Sequence, residues 1–231
     1  FKGNWQKLII QFFELKVPKF ADLVTTNTSY SEERLIKSGI DEKKIYYLSN
    51  GVDPSRFHNI SHEKLDELRN NHELIGKKVI AYIGSLSLSN HAIDLLIDSF
   101  SLISDENLNY RLLLVGGGED YELLRSFVNK KKLNSSVIFT GRIHPDNVKY
   151  YYKLADVTVD PVFDDIAAKA RSPLKIFESL ICGTPIVTMA VGDRNVLKKI
   201  SEKIFIVADI KPKIIAEKIK FVIDFGNKDL K

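Results

Sequence analysis

The sequence predicts an α/β fold, a doubly wound parallel sheet of about six strands behind a partial N-terminal segment. Three observations carry this prediction. From Lys78 onward, six short apolar runs rich in β-branched residues alternate with six amphipathic stretches, as expected of strands buried on both faces and their crossover helices. Gly, Pro or polar residues bound each run. The links are short, and right-handed crossovers then leave few other topologies.

The elements follow in order. Strands are predicted at Val79 (VIAYIGSL), Tyr110 (YRLLLVGGG), Ser136 (SVIFTGRI), Val157 (VTVDPV), Pro185 (PIVTMA) and Ile204 (IFIVA). Between them, helical periodicity spans Ile93 to Ile103, Tyr121 to Lys131, Asp146 to Ala155, Pro173 to Cys182, Arg194 to Ile200 and Pro212 to Phe225. This Rossmann-like part is long enough to hold its own core. Residues before it differ. Phe1 to Phe20 carries Trp5, Leu8, Ile9, Phe12 and Phe13 on one face, with Lys2, Lys7, Lys16 and Lys19 elsewhere. It suits packing within a further domain, or contact with an anionic membrane surface. A strand at Ala21 (ADLVTT), a helix near Ser31, a strand at Ile45 (IYYLSN) and the turn Asn50-Gly51-Val52-Asp53-Pro54 follow. Ser61 to Asn71 is polar and reads as a surface helix or linker.

Composition narrows the function. The 231 residues are 44% hydrophobic and 28% charged, which excludes disorder and collagen-like repeats. A net charge of +4 is too small to indicate nucleic acid, and no nucleic-acid partner is expected. The single Cys182 excludes an internal disulfide framework and reads as a buried structural thiol. No apolar run approaches the ~20 residues of a membrane span, and no secretory signal is present. The expected location is cytoplasmic, with peripheral contact at the cytoplasmic membrane face left open. The chain begins at Phe1 and its only methionine is Met189, so a longer parent protein is expected.

The most informative stretch is Arg171-Ser172-Pro173-Leu174-Lys175-Ile176-Phe177-Glu178. Ser172 suits an N-cap and Pro173 a first helical residue. Lys175 then takes the third helical position, where a carboxylate is favoured, and Arg171 precedes the cap. Two cations at a positive helix end make sense if an anion such as a diphosphate sits between them, held also by backbone N–H groups near Leu174. The competing reading has both cations in water. Glu178 lies three residues after Lys175 and shares its face. It suits either two sugar hydroxyls or a simple salt bridge with Lys175.

Other candidates lie at the carboxyl edge of the predicted sheet, where such sheets bind ligands. They are Gly84-Ser85, the triplet from Gly116 and Gly117, and Arg142-Ile143. The glycine triplet lacks the spacing of a dinucleotide fingerprint and follows the second strand, which argues against a nicotinamide dehydrogenase. His91 and His144 have no ligand-spaced partners, so no structural zinc and no metal are expected. Asp160, Asp164 and Asp165 read as an acidic loop, solvated or holding a divalent cation. Ser85 lies in no nucleophile elbow, so serine hydrolase chemistry has no support.

The order of these signals resembles the retaining glycosyltransferases of the GT-B fold, the family 4 type or glycosyltransferase group 1. The match runs in register from about Ala21 to Thr188. It passes through ADLVTTNTSYSEERL, Asn50-Gly51-Val52-Asp53 with a later Phe57, LLLVGGGED, VIFTGRI and PLKIFESLICGTPIVT. The resemblance implies the C-terminal half of a two-domain enzyme that moves a sugar from a UDP- or GDP-sugar to a saccharide or lipid-linked acceptor. Residues 1–55 would be the tail of the acceptor domain and linker, and 56–231 the nucleotide-sugar domain. Donor contacts would come from Gly84, Ser85, His91, Gly116, Gly117, Arg142, Ile143, Arg171, Ser172, Pro173 and Leu174. Lys175 and Glu178 would be catalytic, on diphosphate and ribose, with no cofactor or metal. The fragment itself is expected to be inactive. The sequence departs from the pattern at Ala170, where the family usually has Glu, and at Ser85 and His91, where it has a basic pair. Those departures keep two alternatives open, a non-catalytic nucleotide-sugar binding module and a sugar-nucleotide epimerase.

Overall fold

The computed structural model describes residues 4–106 and 109–229. Residues 1–3 of the predicted Phe1–Phe20 segment, with Lys2, lie outside the described residues, as do 230 and 231. The elements are α1 (Asn4–Leu15), β1 (Val24–Thr26), α2 (Ser29–Lys37), β2 (Ile45–Tyr47), α3 (His62–Asn71), β3 (Lys78–Ile83), α4 (Ile93–Glu106), β4 (Tyr110–Val115), α5 (Tyr121–Lys130), β5 (Val137–Gly141), α6 (Val148–Leu154), β6 (Val157–Asp160), α7 (Ile166–Lys169), α8 (Leu174–Ile181), β7 (Ile186–Met189), α9 (Arg194–Leu197), β8 (Ile204–Val207) and α10 (Pro212–Asp229).

The six strands from β3 to β8 form one parallel sheet in the order β5-β4-β3-β6-β7-β8. Counted within the sheet this is 3-2-1-4-5-6, the order of nucleotide-binding doubly wound folds. Strand order reverses between β3 and β6, which opens a crevice at their carboxyl ends. Central strands are almost wholly buried: five of six β3 residues and all of β6 and β7. On one face, Leu96 and Phe100 of α4, Leu124 of α5 and Ile215, Ile219 and Val222 of α10 share a core with Ile80, Leu112 and Val159. On the other face, Leu65 and Leu68 of α3 and Tyr151, Tyr152 and Leu154 of α6 pack against Val79, Ala81 and Leu113.

Two of the six predicted helix starts in the larger sheet region differ from expectation. The predicted Asp146–Ala155 helix opens as a 3-10 turn at Pro145–Asn147, and α6 starts at Val148. The predicted Pro173 start shifts to Leu174. Pro173 has φ −84° and ψ 86°, and the Leu174 N–H donates to the Ser172 carbonyl at 3.1 Å. That is an inverse γ-turn, so the proline stands just outside the helix. Ser172 is buried instead of capping.

The N-terminal segment forms a separate two-stranded parallel sheet, β1 with β2. Leu35, Ile40 and Ile45 make its small core, with Leu15 and Val24 against them. Thr28 caps α2 by accepting from the Ser31 N–H. Along α1, Trp5, Leu8, Phe12 and Phe13 are exposed, as is Phe20 beyond it. One buried carboxylate ties this segment to the larger sheet. Asp193 accepts from the Ser29 N–H at 3.1 Å, the Ser29 hydroxyl and the Tyr47 hydroxyl at 3.2 Å. Hydrogen bonds to a charged acceptor contribute about 1.5–3 kcal/mol each. Asp193→Ala is therefore expected to free residues 4–55 while the main sheet stays folded. Limited proteolysis should then cut the variant before residue 60 several-fold faster than the wild type. Identical digestion profiles would remove the clamp from the account.

Candidate functional site

The carboxyl ends of β3, β4 and β5 and the start of α8 enclose an open cleft of about 450 Å³. Two glycine turns, at Gly84 and at Gly116-Gly117, form its floor. Gly84 and Gly116 have φ of 153° and 131°, and a Cβ on Gly116 would run into the Gly84 carbonyl oxygen. The two turns touch backbone to backbone, which only glycine permits here. Gly84, Ser85, Gly116, Gly117, Arg142, Ile143, Leu174, Lys175 and Glu178 of the predicted set all line the cleft. Arg56, Phe57, Pro145 and Val148 complete its outer wall. Lining cations outnumber carboxylates three to one, Arg56, Arg142 and Lys175 against Glu178. Such a wall favours an anionic ligand.

Lys175 crosses the Gly84 turn. A Cβ on Gly84 would sit 2.6 Å from Lys175 Cε, so the missing side chain makes room for the ammonium. Nζ lies 5.4 Å from the Tyr82 ring centroid and 3.4 Å from His91 Nε2. Burial lowers the Lys175 pKa from the usual lysine value, opposed by the Asp160 charge and assisted by Arg171 and Arg194. As the second helical residue it has no intrahelical acceptor for its N–H, and among the described residues none is supplied from elsewhere. The Leu174 N–H, by contrast, is closed onto Ser172.

Glu178 is set by Tyr152. The tyrosine is fully buried on α6 and its hydroxyl donates to Glu178 Oε2 at 2.8 Å. Burial, then the Glu178 charge, pushes the phenol well above its usual pKa, so it stays a donor. Phe57 packs edge-on against Tyr152 with centroids 6.5 Å apart. Among the described residues no ion pair joins Glu178 to Lys175, and the carboxylate keeps acceptor capacity towards the cleft.

The remaining predicted residues stand behind or beside the cleft. Arg171 donates to the Asn90 carbonyl at 2.8 Å and to Asn90 Oδ1 at 2.9 Å, bracing the loop after β3. Ser172 and Pro173 are buried and do not line the cleft. His91 is buried behind Lys175. The expected acidic loop divides into three separate roles. Asp160 ends β6 in full burial, Asp164 pairs with Lys169 at 2.8 Å, and Asp165 caps α7 through the Ala168 N–H at 2.7 Å. Among the described residues no group of three or more His, Cys, Asp or Glu side chains could hold a metal ion.

Sequence reasoning missed the support behind the cleft. Arg194, 1% exposed, donates from Nε to Asp160 Oδ2 at 2.8 Å and from Nη1 to the Ala168 carbonyl at 3.2 Å. Thr188 adds a hydroxyl to Asp160 at 3.2 Å. Burial opposes Asp160 ionisation, but Arg194 and Lys175 outweigh it and lower its pKa from the ordinary value. Tyr82 was also missed. Its hydroxyl donates to the Ser85 carbonyl at 2.6 Å and stiffens the first glycine turn.

The described chain has no helix long and apolar enough to cross a membrane. A family profile for glycosyl transferases group 1 matches residues 77–224, which includes the whole six-stranded sheet. The chain is 28% identical over 173 residues to an uncharacterised glycosyltransferase of Methanocaldococcus jannaschii, covering 74% of this chain and 42% of that protein. Mannosylfructose-phosphate synthase of Agrobacterium fabrum is 28% identical over 190 residues, covering 78% and 40%. An alpha-monoglucosyldiacylglycerol synthase of Streptococcus pneumoniae is 28% identical, covering 71% and 36%. The chain thus spans about two fifths of these relatives. Anabaena HepE, solved with UDP, superposes with a TM-score of 0.80 at 20% identity, over 99% of this chain and 61% of that one. The fold matches the C-terminal half of GT-B glycosyltransferases. With more than half its residues matched to the family and the cleft at the switch point of the matched sheet, the chain belongs to the group 1 glycosyltransferases.

Proposed function

We propose that the chain is the donor-binding part of an enzyme that transfers a sugar from a UDP- or GDP-sugar to a saccharide or lipid-linked acceptor. Residues 56–231 form the donor domain in this reading, and 1–55 join it to the acceptor domain. The observation that carries it is the open, cation-rich cleft in which Lys175 and the α8 start face the glycine turns while Tyr152 holds Glu178. Lys175 Nζ and the Lys175 N–H bind the diphosphate. Glu178 accepts from the ribose hydroxyls, and Arg142, Ile143 and Pro145 flank the base. In the reaction the sugar C1–O bond to the diphosphate breaks and the nucleoside diphosphate leaves with the electron pair. The acceptor hydroxyl forms the new C1–O bond and releases its proton. Lys175 acts where negative charge develops on the leaving group. HepE was also solved with UDP-glucose, which supports a nucleotide-sugar donor, and the streptococcal relative supports a lipid acceptor.

Ala170 and the commitment of Arg171 to Asn90 favour one second reading, a module that binds the donor without turnover. Titration of the chain with UDP and GDP separately, by calorimetry or amide NMR, tests the site. Saturable binding of one nucleotide with shifts at Gly84, Gly117 and Lys175 is expected. No binding of either at millimolar concentration overturns both readings. Assay of a longer protein carrying this chain, with a donor panel, then separates transfer from binding alone.

A further inference from the structure

We propose that His91 is a positioning residue whose Nε2 accepts a hydrogen bond from Lys175 and fixes the ammonium against the Gly84 turn. This rests on the reading of Lys175 as the cation that meets the diphosphate. His91 is held from its backbone, with its N–H on the Ser87 carbonyl at 2.9 Å and the next N–H, of Ala92, on the Pro161 carbonyl at 3.0 Å. Its ring stands edge-on to Tyr82, centroids 5.6 Å apart, and Tyr82 also underlies the Lys175 ammonium. Lys175 is thus enclosed by a ring face, a backbone turn that leaves room only because Gly84 lacks a Cβ, and one nitrogen 3.4 Å away.

The chemistry of that contact fixes a proton. An ammonium has three donors and no acceptor, so Nε2 must present its lone pair. The imidazole proton then sits on Nδ1, a buried atom that has no hydrogen-bond partner among the described residues. The neighbour thus selects one tautomer. A protonated ring would instead place a second cation beside Lys175. Burial, then the Lys175 charge, lowers the His91 pKa to about 3, with Asp160 opposing and Arg171 and Arg194 assisting. His91 is therefore a neutral acceptor across the physiological range. It acts through Lys175 and does not line the cleft.

Ring nitrogen shifts of the ¹⁵N-labelled chain at pH 7, from two-bond proton–nitrogen correlations, test the contact directly. The expected result is the Nδ1-protonated tautomer of His91, with the Nε2 resonance moving when Lys175 is replaced by methionine. An Nε2-protonated ring, an imidazolium, or an Nε2 signal indifferent to Lys175→Met overturns the proposal. The second arm is UDP and GDP titration of two variants. Gln in His91→Gln offers an oxygen near the Nε2 position and is expected to hold affinity within about threefold. His91→Leu offers none and is expected to lose about tenfold. Equal affinity in the two variants overturns the positioning role. If the wild type binds neither nucleotide, the donor reading fails, and the tautomer still decides the His91–Lys175 contact.

Discussion

Arg194→Met is expected to destabilise the chain by about 3–5 kcal/mol, the usual effect of removing one partner from a buried ion pair. The guanidinium is 1% exposed and the Asp160 carboxylate 2%. Methionine fills much of the volume but leaves the carboxylate without its Nε–H donor and the Ala168 carbonyl without Nη1. The pH dependence identifies the cause. In the wild type the Asp160 pKa is lowered below its ordinary 3.8, so its stabilising contribution is present above that value and is lost as pH falls through the folded pKa. In Arg194→Met the carboxyl pKa rises, and the variant gives up that contribution already near neutrality. The gap between the two denaturation midpoints should be widest near pH 7 and narrow below about pH 4. Replacing both partners with apolar residues should recover most of the loss. A uniform gap at every pH, unrelieved by the double replacement, would place the effect in packing alone.

Lys175→Met is expected to weaken UDP or GDP binding by about 10- to 100-fold, from the loss of charge-assisted bonds of about 1.5–3 kcal/mol. In a longer, active protein, turnover should fall by about 10²–10³. Stability should move the other way. Burial lowers the Lys175 pKa, so the unfolded chain binds that proton more tightly than the folded one. The charged ammonium is a net burden on the fold at neutral pH, and its removal should leave the melting temperature unchanged or higher. Lost binding together with kept stability is the pattern of a group retained for its ligand. A variant that melts early and binds normally would make Lys175 a structural residue.

The sheet was legible because its signal is local. Six apolar runs buried on both faces read as strands whatever lies around them, and all six start within one residue of their predicted starts and end one to three residues short of their predicted ends. The turns after β3, β4 and β5 were legible through their glycines. What lay hidden depends on partners far apart in sequence. Asp160 and Arg194 are 34 residues apart, and nothing periodic connects an aspartate ending a strand to an arginine opening a short helix. Tyr152 was one apolar residue among several on α6 until the fold set it 2.8 Å from Glu178. Arg171 illustrates the converse. Its place before a helix suggested a ligand, but Asn90, 81 residues earlier, takes its guanidinium. Pro173 misled by one residue because proline suits both the first helical position and a γ-turn just before it.

The switch-point arrangement also measures distance. Neighbouring strands lie about 4.8 Å apart, so the end of β5 stands roughly 10 Å from the end of β3. The anion end of the cleft, at Gly84 and Lys175, and the flat wall at Arg142, Ile143 and Pro145 are thereby held at a fixed interval by backbone hydrogen bonding alone. In the donor reading proposed above, a loop exchanged at the β5 end would alter which aromatic ring is accepted while the grip on the charged tail stayed as it was. The sheet serves as a ruler whose two ends can diversify independently.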